Sequence, residues 1–370
     1  MNIVVLTSSR ADYGIYLPLL KKMRKDKFFS LKIVAFGTHL SKQHGETINQ
    51  IYKDGFDIAY KIKTIVNGDN SVAVAKSMAL TINQFSEFWD KEKKQIDLIM
   101  CLGERYEMFA AVSASVPFNI PVVHLHGGET TLGAIDNVFR HSITLMSKLH
   151  FASTENHAKK IIQLFNSSKN VYNVGALSLD NIKEIPLLTA QEFYNFFKVF
   201  PENPVLVTFH PETVALEKNE LYINELIKVL SVLEQQIIIT MPNADTMGNM
   251  IREKLIAFKK TKNDVHIIES FGTQGYFSCL KFCSFVLGNS SSGIIEAASF
   301  GKYVINLGDR QKGRDAGSNI IQCKVVKNEV LNAINKIGKL PKLNKNNIYG
   351  KGNTADKIIS ILKSKTLNFA

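Results

Sequence analysis

The chain has 370 residues, 45% of them hydrophobic and 21% charged, which is a globular composition and a length that favours two domains. No apolar run approaches the roughly 20 residues that a membrane-spanning helix needs, so we expect no membrane association. The net charge of +12 suits a polyanionic ligand. The lysines are scattered and do not alternate with aromatic residues, which argues against nucleic-acid binding.

The cysteines and the first apolar run indicate the compartment. Cys101, Cys279, Cys283 and Cys323 have neither a zinc-ligand spacing nor the density of a disulfide framework. Residues 2–7 are apolar but end in Thr-Ser-Ser-Arg and lack a charged leader, so they predict a strand and not a signal peptide. We therefore expect reduced thiols and a cytoplasmic protein.

Strand-like and helix-like segments alternate along the first half of the chain. The predicted strands are residues 3–7, 31–36, 98–103 and 121–124, and the predicted helices are residues 15–23, 70–91, 107–116 and 140–147. Such alternation is typical of parallel βαβ units.

The same pattern restarts in the second half. Apolar runs predict strands at residues 204–209, 236–241, 265–268, 285–287 and 303–307, with helices between them. We expect an α/β protein with two doubly wound, Rossmann-like domains, residues 1–180 and 181–352, whose ligands bind beyond the carboxyl ends of the strands in a cleft between the domains. A last segment, residues 353–370, carries a helix that we expect to cross back to the first domain.

Two strand-to-helix turns have the chemistry of anion sites. After the first strand, the turn at residues 8–10 presents backbone N–H groups and Arg10, which can clamp phosphate oxygens. The alternative is that Asp12 caps the helix and pairs with Arg10. Ser290 and Ser291 stand at a helix start after a strand, which suits a diphosphate, and Glu296 one turn later suits ribose hydroxyls. The sequence has no GxGxxG and no Walker A motif, so we predict neither a nicotinamide cofactor nor ATP.

Titratable side chains follow two further strands of the first half. Their pairing is what acid–base chemistry needs, because paired groups acquire separate pKa values. The cluster consists of Glu104, Arg105, His124, His126, Glu129 and Asp136, followed by Arg140 and His141. A metal site at His124, His126 and Glu129 is a weaker alternative, since the two histidines alternate faces on an extended segment. In the second half, His210 follows a strand and suits a diphosphate contact or proton transfer.

These motifs together resemble the UDP-N-acetylglucosamine 2-epimerase family, and most closely its hydrolysing branch, over about residues 1–363. The matching strings are S-R-A-D-Y-G, G-x-H at 37–39, G-E-R-Y-E, H-x-H-G-G-E, I-D-N-x-x-R-H, F-H-P-E-T, P-N-A-D-T, G-N-S-S-S-G-I-I-E and N-L-G-D-R-Q-K-G-R. The resemblance implies a GT-B fold, a homodimer, and no nicotinamide cofactor or required metal.

The resemblance also implies roles for single residues. Substrate-binding positions are Arg10, His39, Arg105, His124, Glu129, His210, Asn243, Ser290, Ser291, Glu296 and Arg310, of which Arg10 and His210 match pyrophosphate contacts. Catalytic candidates are Glu104, His126 and Asp136. Two of these depart from the common pattern, because Glu104 replaces an aspartate and His126 replaces a glutamate. Which of the three is the acid and which the base stays open.

The implied reaction converts UDP-N-acetylglucosamine into N-acetylmannosamine and UDP. The alternative substrate is UDP-N,N'-diacetylbacillosamine, which differs at C4 and C6. Two rival functions are a glycosyltransferase of the same fold and a non-catalytic UDP-sugar binder. The dense acid–base cluster of the first half disfavours the binder.

Overall fold

The computed structural model describes residues 1–42, 45–68, 70–242 and 246–364. The chain forms two compact domains, and neither is a contiguous stretch. Domain 1 comprises Met1–Glu129, Asp136–Asn181 and the stretch that begins at Tyr349. Domain 2 comprises Thr130–Ile135 and Ile182–Ile348.

The described part of domain 1 contains a seven-stranded parallel sheet in the order β3-β2-β1-β4-β5-β6-β7. Its strands are β1 (Asn2–Thr7), β2 (Ser30–Phe36), β3 (Ile58–Ile62), β4 (Leu98–Leu102), β5 (Val122–Leu125), β6 (Leu149–Ala152) and β7 (Val171–Asn173). All residues of β4 and β5 are buried, as expected for strands with helices on both faces. The order reverses between β1 and β4, which is where doubly wound sheets bind ligands.

Helices cover both faces of this sheet. They are α1 (Arg10–Lys25), α2 (Ile48–Lys53), α3 (Ser71–Glu92), α4 (Tyr106–Ser113), α5 (Asp136–Met146) and α6 (Glu155–Phe165), with short 3-10 helices at Gly37–Leu40, Lys93–Gln95 and Val116–Phe118. The next helix, α7 (Ser178–Glu184), spans the join to domain 2. Helix α1 packs on one face through side chains such as Tyr16, and α3 packs on the other through Trp89.

The described part of domain 2 repeats the arrangement with six parallel strands in the order β10-β9-β8-β11-β12-β13. The strands are β8 (Val205–Thr208), β9 (Ile237–Thr240), β10 (Val265–Ile268), β11 (Phe285–Gly288), β12 (Val304–Leu307) and β13 (Ile320–Cys323). The helices are α8 (Ala190–Phe197), α9 (Asn219–Leu230), α10 (Gly248–Lys259), α11 (Gly272–Phe282), α12 (Ser291–Ile295) and α13 (Lys327–Ile337), with 3-10 helices at Leu216–Lys218 and Ala297–Phe300.

The last described helix, α14 (Thr354–Lys363), belongs to domain 1. Its apolar side chains Ala355, Ile358 and Leu362 are buried in the core that contains α1. The Asp180 carboxylate accepts hydrogen bonds from the backbone N–H groups of Thr354 at 2.9 Å and Ala355 at 2.7 Å. A buried carboxylate thus caps the helix N-terminus, where N–H groups have no intrahelical partner.

The α/β class and the two Rossmann-like domains predicted from the sequence are confirmed. Four strands had no strong signal in the sequence. β3 and β13 are edge strands with mixed polarity, β6 follows α5 after only two residues, and β7 has only three residues. None of the described helices is both long and apolar enough to cross a membrane.

Candidate active site

The turn after β1 is organised by the buried carboxylate of Asp12. Its oxygens accept the backbone N–H groups of Ser8 and Ser9, both at 3.0 Å, and the Ser8 hydroxyl at 2.8 Å. Ser9 and Asp12 form a capping box at the start of α1. The capping role that the sequence alternative gave Asp12 is therefore confirmed, and its pairing with Arg10 stays a prediction. Arg10 is the first residue of α1 and is exposed.

His39 lies beneath this turn and is fully buried. Its Nε2 is 2.9 Å from the Thr7 hydroxyl and its Nδ1 is 2.9 Å from the Thr47 hydroxyl. Thr7 in turn donates to Asp12. Burial lowers the pKa of His39. Because both nitrogens have side-chain partners, His39 acts here as a neutral support for the turn that carries Arg10.

Glu104 and Arg105 follow β4, and each pairs with a charged partner. Glu104 Oε1 lies 2.9 Å from Nη2 of Arg140. Arg140 is fully buried in α5, and its Nη1 donates to the Glu129 carbonyl at 3.1 Å. Arg105 donates two hydrogen bonds to the buried Glu107 carboxylate, both at 3.2 Å. Arg140 therefore joins the turn after β4 to the turn after β5.

His124 in β5 is fully buried. Its Nε2 is 2.8 Å from the Gly103 carbonyl oxygen and its Nδ1 is 3.1 Å from the Thr144 hydroxyl. Burial lowers its pKa to about 3, so the imidazole is neutral at physiological pH. These contacts make His124 a support for the Glu104 turn. Its role as a substrate contact stays a prediction.

His126 has the geometry of an acid–base group. It follows β5 in a left-handed conformation, φ 65°, which costs energy in a non-glycine residue. Its Nδ1 is 2.8 Å from Glu129 Oε1. The buried Nε2 has no hydrogen-bond partner among the described residues. Nδ1 of His126 is thus held by the Glu129 carboxylate, and Nε2 is the ring nitrogen that can take up a proton.

Asp136 begins α5 and is half-buried. It stands one helical turn before Arg140, so the two side chains share a face of the helix. Domain 1 therefore brings the acid–base candidates Glu104, His126 and Asp136 to neighbouring segments at the carboxyl ends of β4 and β5, with Arg140 contacting two of these segments.

Domain 2 gathers its predicted ligand residues around one amide that the sequence analysis did not single out. Asn289 is fully buried; its side chain accepts the His210 N–H at 2.7 Å and donates to the His210 carbonyl at 2.8 Å. Its carbonyl accepts Arg310 Nη1 at 3.4 Å and Gln311 Nε2 at 2.9 Å. Asn289 therefore fixes the turns after β8, β11 and β12 to one another.

Ser290 caps the short helix α12, which begins at Ser291. The Ser290 and Ser292 hydroxyls are 3.0 Å apart, and Tyr276 places its hydroxyl 2.5 Å from that of Ser292. Gly288 just before has φ 145°, and a Cβ there would overlap the Thr208 carbonyl oxygen. Only glycine lets the serine turn approach β8 this closely.

The remaining predicted residues of domain 2 are Glu296, Arg310 and Asn243. Glu296 is buried at the end of α12, and Arg310 follows β12. The segment Thr130–Ile135 lies against this part of domain 2. Leu132 N–H donates to the Lys312 carbonyl at 2.9 Å, and a Cβ on Gly133 would meet Arg310 at 2.6 Å. Asn243 lies outside the described residues.

The metal alternative at His124, His126 and Glu129 receives no support from the geometry. Among residues 1–42, 45–68, 70–242 and 246–364, no group of three or more His, Cys, Asp or Glu side chains is arranged to hold a metal ion. His124 has both ring nitrogens engaged inside the domain.

If UDP is the ligand, as the resemblance implies, we expect Asn289→Leu to weaken its binding about 10- to 100-fold. The change removes the side-chain partner of the buried N–H and C=O of His210 and so loosens the link between the turns after β8 and β11. Calorimetric titration with UDP measures the change. Asn319→Leu is the matched control, because Asn319 is equally buried but bonds the Lys302 carbonyl before β12 begins. Equal UDP affinity in the two variants would contradict the role of Asn289.

Two parallel sheets of this order, with polar turns at their carboxyl ends, define a two-domain α/β protein of the GT-B type. The family model described as UDP-N-acetylglucosamine 2-epimerase matches residues 21–363. The chain belongs to the UDP-N-acetylglucosamine 2-epimerase family, which confirms the resemblance inferred from its motifs.

Curated relatives and solved structures agree with this assignment. The Legionella pneumophila UDP-N,N'-diacetylbacillosamine 2-epimerase (hydrolyzing) is 33% identical over 99% of this chain and 97% of its own. The Escherichia coli polysialic acid biosynthesis protein P7 is 36% identical over 90% of this chain and 85% of its own. The Neisseria meningitidis UDP-GlcNAc 2-epimerase structure, bound to UDP-GlcNAc, has a similar fold, with a TM-score of 0.80, 17% identity and coverage of 98% and 99%.

Proposed function

We propose that this chain is a hydrolysing 2-epimerase that converts UDP-N-acetylglucosamine into UDP and free N-acetylmannosamine. The observation that carries the proposal is the His126–Glu129 pair, which holds one imidazole nitrogen on a buried carboxylate and leaves the other for a proton. Family membership supplies the substrate class, and the turns of domain 2 have the donors that a nucleoside diphosphate requires.

The reaction has two steps. A base removes the proton at C2 of the sugar, the C–H electron pair forms a C1=C2 double bond, and the C1–O bond breaks with UDP as leaving group. Water then adds its oxygen to C1 and gives one of its protons to a basic group, while an acid delivers a proton to C2 on the face opposite to the one that lost its proton. The proton count balances, because the protein takes up the C2 proton and one water proton, returns one proton to C2 and releases the other to UDP or solvent.

Three side chains of domain 1 are the candidates for removing the C2 proton and for returning a proton to C2. His126 offers an unoccupied ring nitrogen, and Glu104 and Asp136 are the carboxyl groups of the adjoining turns. Transfers of this kind contribute roughly 10²–10⁴ in rate. Glu104 is anchored to Arg140, which fixes its position relative to the turn that carries His126 and Glu129.

The leaving diphosphate requires donors that stabilise its growing charge. We assign this role to Arg10, Ser290, Ser291, His210 and Arg310, with Glu296 accepting hydrogen bonds from the ribose. Arg105 and Glu129 stay assigned to substrate binding, and His39 and His124 support the turns of domain 1 that carry the candidate residues. Asn243 keeps its predicted role as a substrate-binding residue.

A second substrate has specific support. The Legionella relative and a Campylobacter jejuni relative, 37% identical over 88% of this chain and 84% of its own, are named as hydrolysing 2-epimerases of UDP-N,N'-diacetylbacillosamine and of GDP/UDP-N,N'-diacetylbacillosamine. The same two steps act at C1 and C2 of that sugar, so only the groups that contact C4 and C6 decide between the donors.

We expect release of a free manno-configured sugar with deuterium at C2 when the enzyme turns over its donor in deuterated water. Proton NMR with UDP-N-acetylglucosamine and with UDP-N,N'-diacetylbacillosamine in parallel identifies the substrate from the faster release. Turnover should persist in EDTA and without added NAD. Sugar that keeps its C2 proton, or a gluco-configured sugar transferred intact from UDP to an acceptor, would contradict the elimination and favour a glycosyltransferase.

We further propose a cytoplasmic homodimer. All four cysteines are free, which fits a reducing compartment. Domain 1 exposes apolar side chains on two helices that both pack against α4, Val72 on α3 and Val138 and Leu145 on α5, as expected for a surface that a second copy covers. Light scattering of the purified chain distinguishes dimer from monomer.

A further inference from the structure

A chain of four buried side chains extends behind the acid–base pair of domain 1. His126 Nδ1 is 2.8 Å from Glu129 Oε1, and the same oxygen accepts the Ser153 hydroxyl at 2.7 Å. The Ser153 hydroxyl is in turn 2.9 Å from Nδ1 of His157. The four residues are between 0% and 7% exposed, so their hydrogen bonds are shielded from solvent.

The fold brings these residues together through three consecutive segments. His126 and Glu129 stand in the turn after β5, Ser153 follows the neighbouring strand β6, and His157 lies in the first turn of α6. The turn after β5 packs closely against α6. A Cβ on Gly128 would lie only 2.3 Å from the His157 carbonyl oxygen, so no side chain fits between them. Gly128 also has φ 76°, which favours glycine.

The donor and acceptor capacity of each group fixes the direction of the bonds. An ionised carboxylate only accepts, so His126 Nδ1 and the Ser153 hydroxyl both donate to Glu129. Ser153 has a single proton and uses it on Glu129, so it must accept from Nδ1–H of His157. One set of tautomers satisfies the whole chain, and it places the lone pair of His126 on Nε2.

We propose that Ser153 and His157 are positioning residues for the acid–base step, and that they act by holding Glu129 so that His126 keeps Nε2 as its proton acceptor. This inference rests on the proposed function. His126 receives the substrate proton at Nε2, and Glu129 stabilises the resulting imidazolium. Ser153 and His157 exchange no proton with the substrate. Their bonds fix the carboxylate oxygen on which the imidazole is oriented.

A purely structural role for Ser153 and His157 makes a different prediction. In that case their loss would lower the free energy of unfolding but leave the tautomer of His126 and the turnover of folded enzyme unchanged. The tautomer is therefore the decisive observable. It is measured without substrate, so a failure of the proposed reaction and a failure of the positioning role remain distinguishable.

The experiment records long-range proton–nitrogen NMR spectra of full-length protein labelled with ¹⁵N-histidine, in which His126 is identified by its absence from His126→Asn. We expect the wild-type signal of a neutral imidazole with the proton on Nδ1. Ser153→Ala should give mixed tautomers, and kcat should fall about 10- to 100-fold with KM within a factor of about three. His157→Asn should retain most activity, because the asparagine amide replaces the Nδ1–H donor.

Two matched control variants distinguish the loss of the bonds that position Glu129 from the general effect of changing a buried polar residue in domain 1. Ser147→Ala removes a buried hydroxyl that donates to the Ile143 carbonyl of the preceding helix α5, and His150→Asn replaces a buried histidine that packs on Phe165. Both should keep the His126 tautomer and kcat. A wild-type His126 protonated on Nε2 would overturn the proposal even if Ser153→Ala fails to fold. The proposal would also be overturned if a folded Ser153→Ala variant kept both the wild-type tautomer of His126 and the wild-type kcat.

Discussion

His126→Asn should lower kcat about 10²- to 10⁴-fold while UDP affinity stays near that of wild type. Asparagine is chosen because it tolerates the left-handed backbone that His126 adopts, so the change removes the titratable ring with little added strain. The size of the loss is the usual worth of general acid–base catalysis. Single-turnover sugar release and calorimetric titration with UDP measure the two quantities on the same preparation.

The variants Asp136→Asn and Glu104→Gln test which carboxyl group carries out the proton transfer that His126 does not. We expect Asp136→Asn to lose a similar factor in kcat at unchanged UDP affinity. Glu104→Gln should also lose stability, since it removes a charged partner of the buried Arg140 guanidinium. Near wild-type turnover in His126→Asn would move the proton transfers to Glu104 and Asp136. Lost UDP affinity in His126→Asn would instead make His126 a binding residue.

Asp180→Ala should destabilise domain 1 by about 2–3 kcal/mol, because Asp180 is the buried cap of α14 and accepts two backbone N–H groups there. A helix that loses its cap releases Ala355, Ile358 and Leu362 from the core. Thermal unfolding followed by circular dichroism should show a decrease in Tm of roughly 5–10 °C. Hydrogen exchange should localise the loss of protection to α14.

The control for this prediction is Asp180→Asn, which retains one accepting oxygen and should lose about half as much. Lys22→Ala tests the outer contact of the same helix, an exposed ion pair with Asp356, and should change stability by no more than about 0.5 kcal/mol. Equal effects of Asp180→Ala and Lys22→Ala would show that α14 is held by apolar packing alone.

The fold class and the general location of the site were predictable because both depend on local patterns. Fully apolar runs such as β4 identify buried parallel strands, and the turns that follow them must lie at one edge of a sheet. Arg10, His126 and Ser290 were found because each stands directly after such a strand. The family motifs then supplied substrate and roles that strand spacing alone does not give.

The supports of the site could not be predicted, because they depend on which distant segments meet. Asn289 appeared only as one letter of a serine-rich turn, and its bonds to His210 span 79 positions of the chain. Ser153 and His157 had no motif of their own, and β6 before them follows α5 too closely to stand out as a separate strand. His39 and His124 were identified as ligand residues from their motifs, yet each engages both ring nitrogens inside domain 1.

The path of the chain through the two domains sets an order of synthesis. Domain 1 begins to emerge from the ribosome first, but α14, which fills its core against α1, is made only after all of Ile182–Ile348. At about 5–20 residues per second, that wait is on the order of ten to thirty seconds. Until α14 is made, the side chains of α1 that share a core with it lack that partner, and only at the end of the wait has all of Ile182–Ile348 been made. The domain whose synthesis starts first is therefore the one completed last.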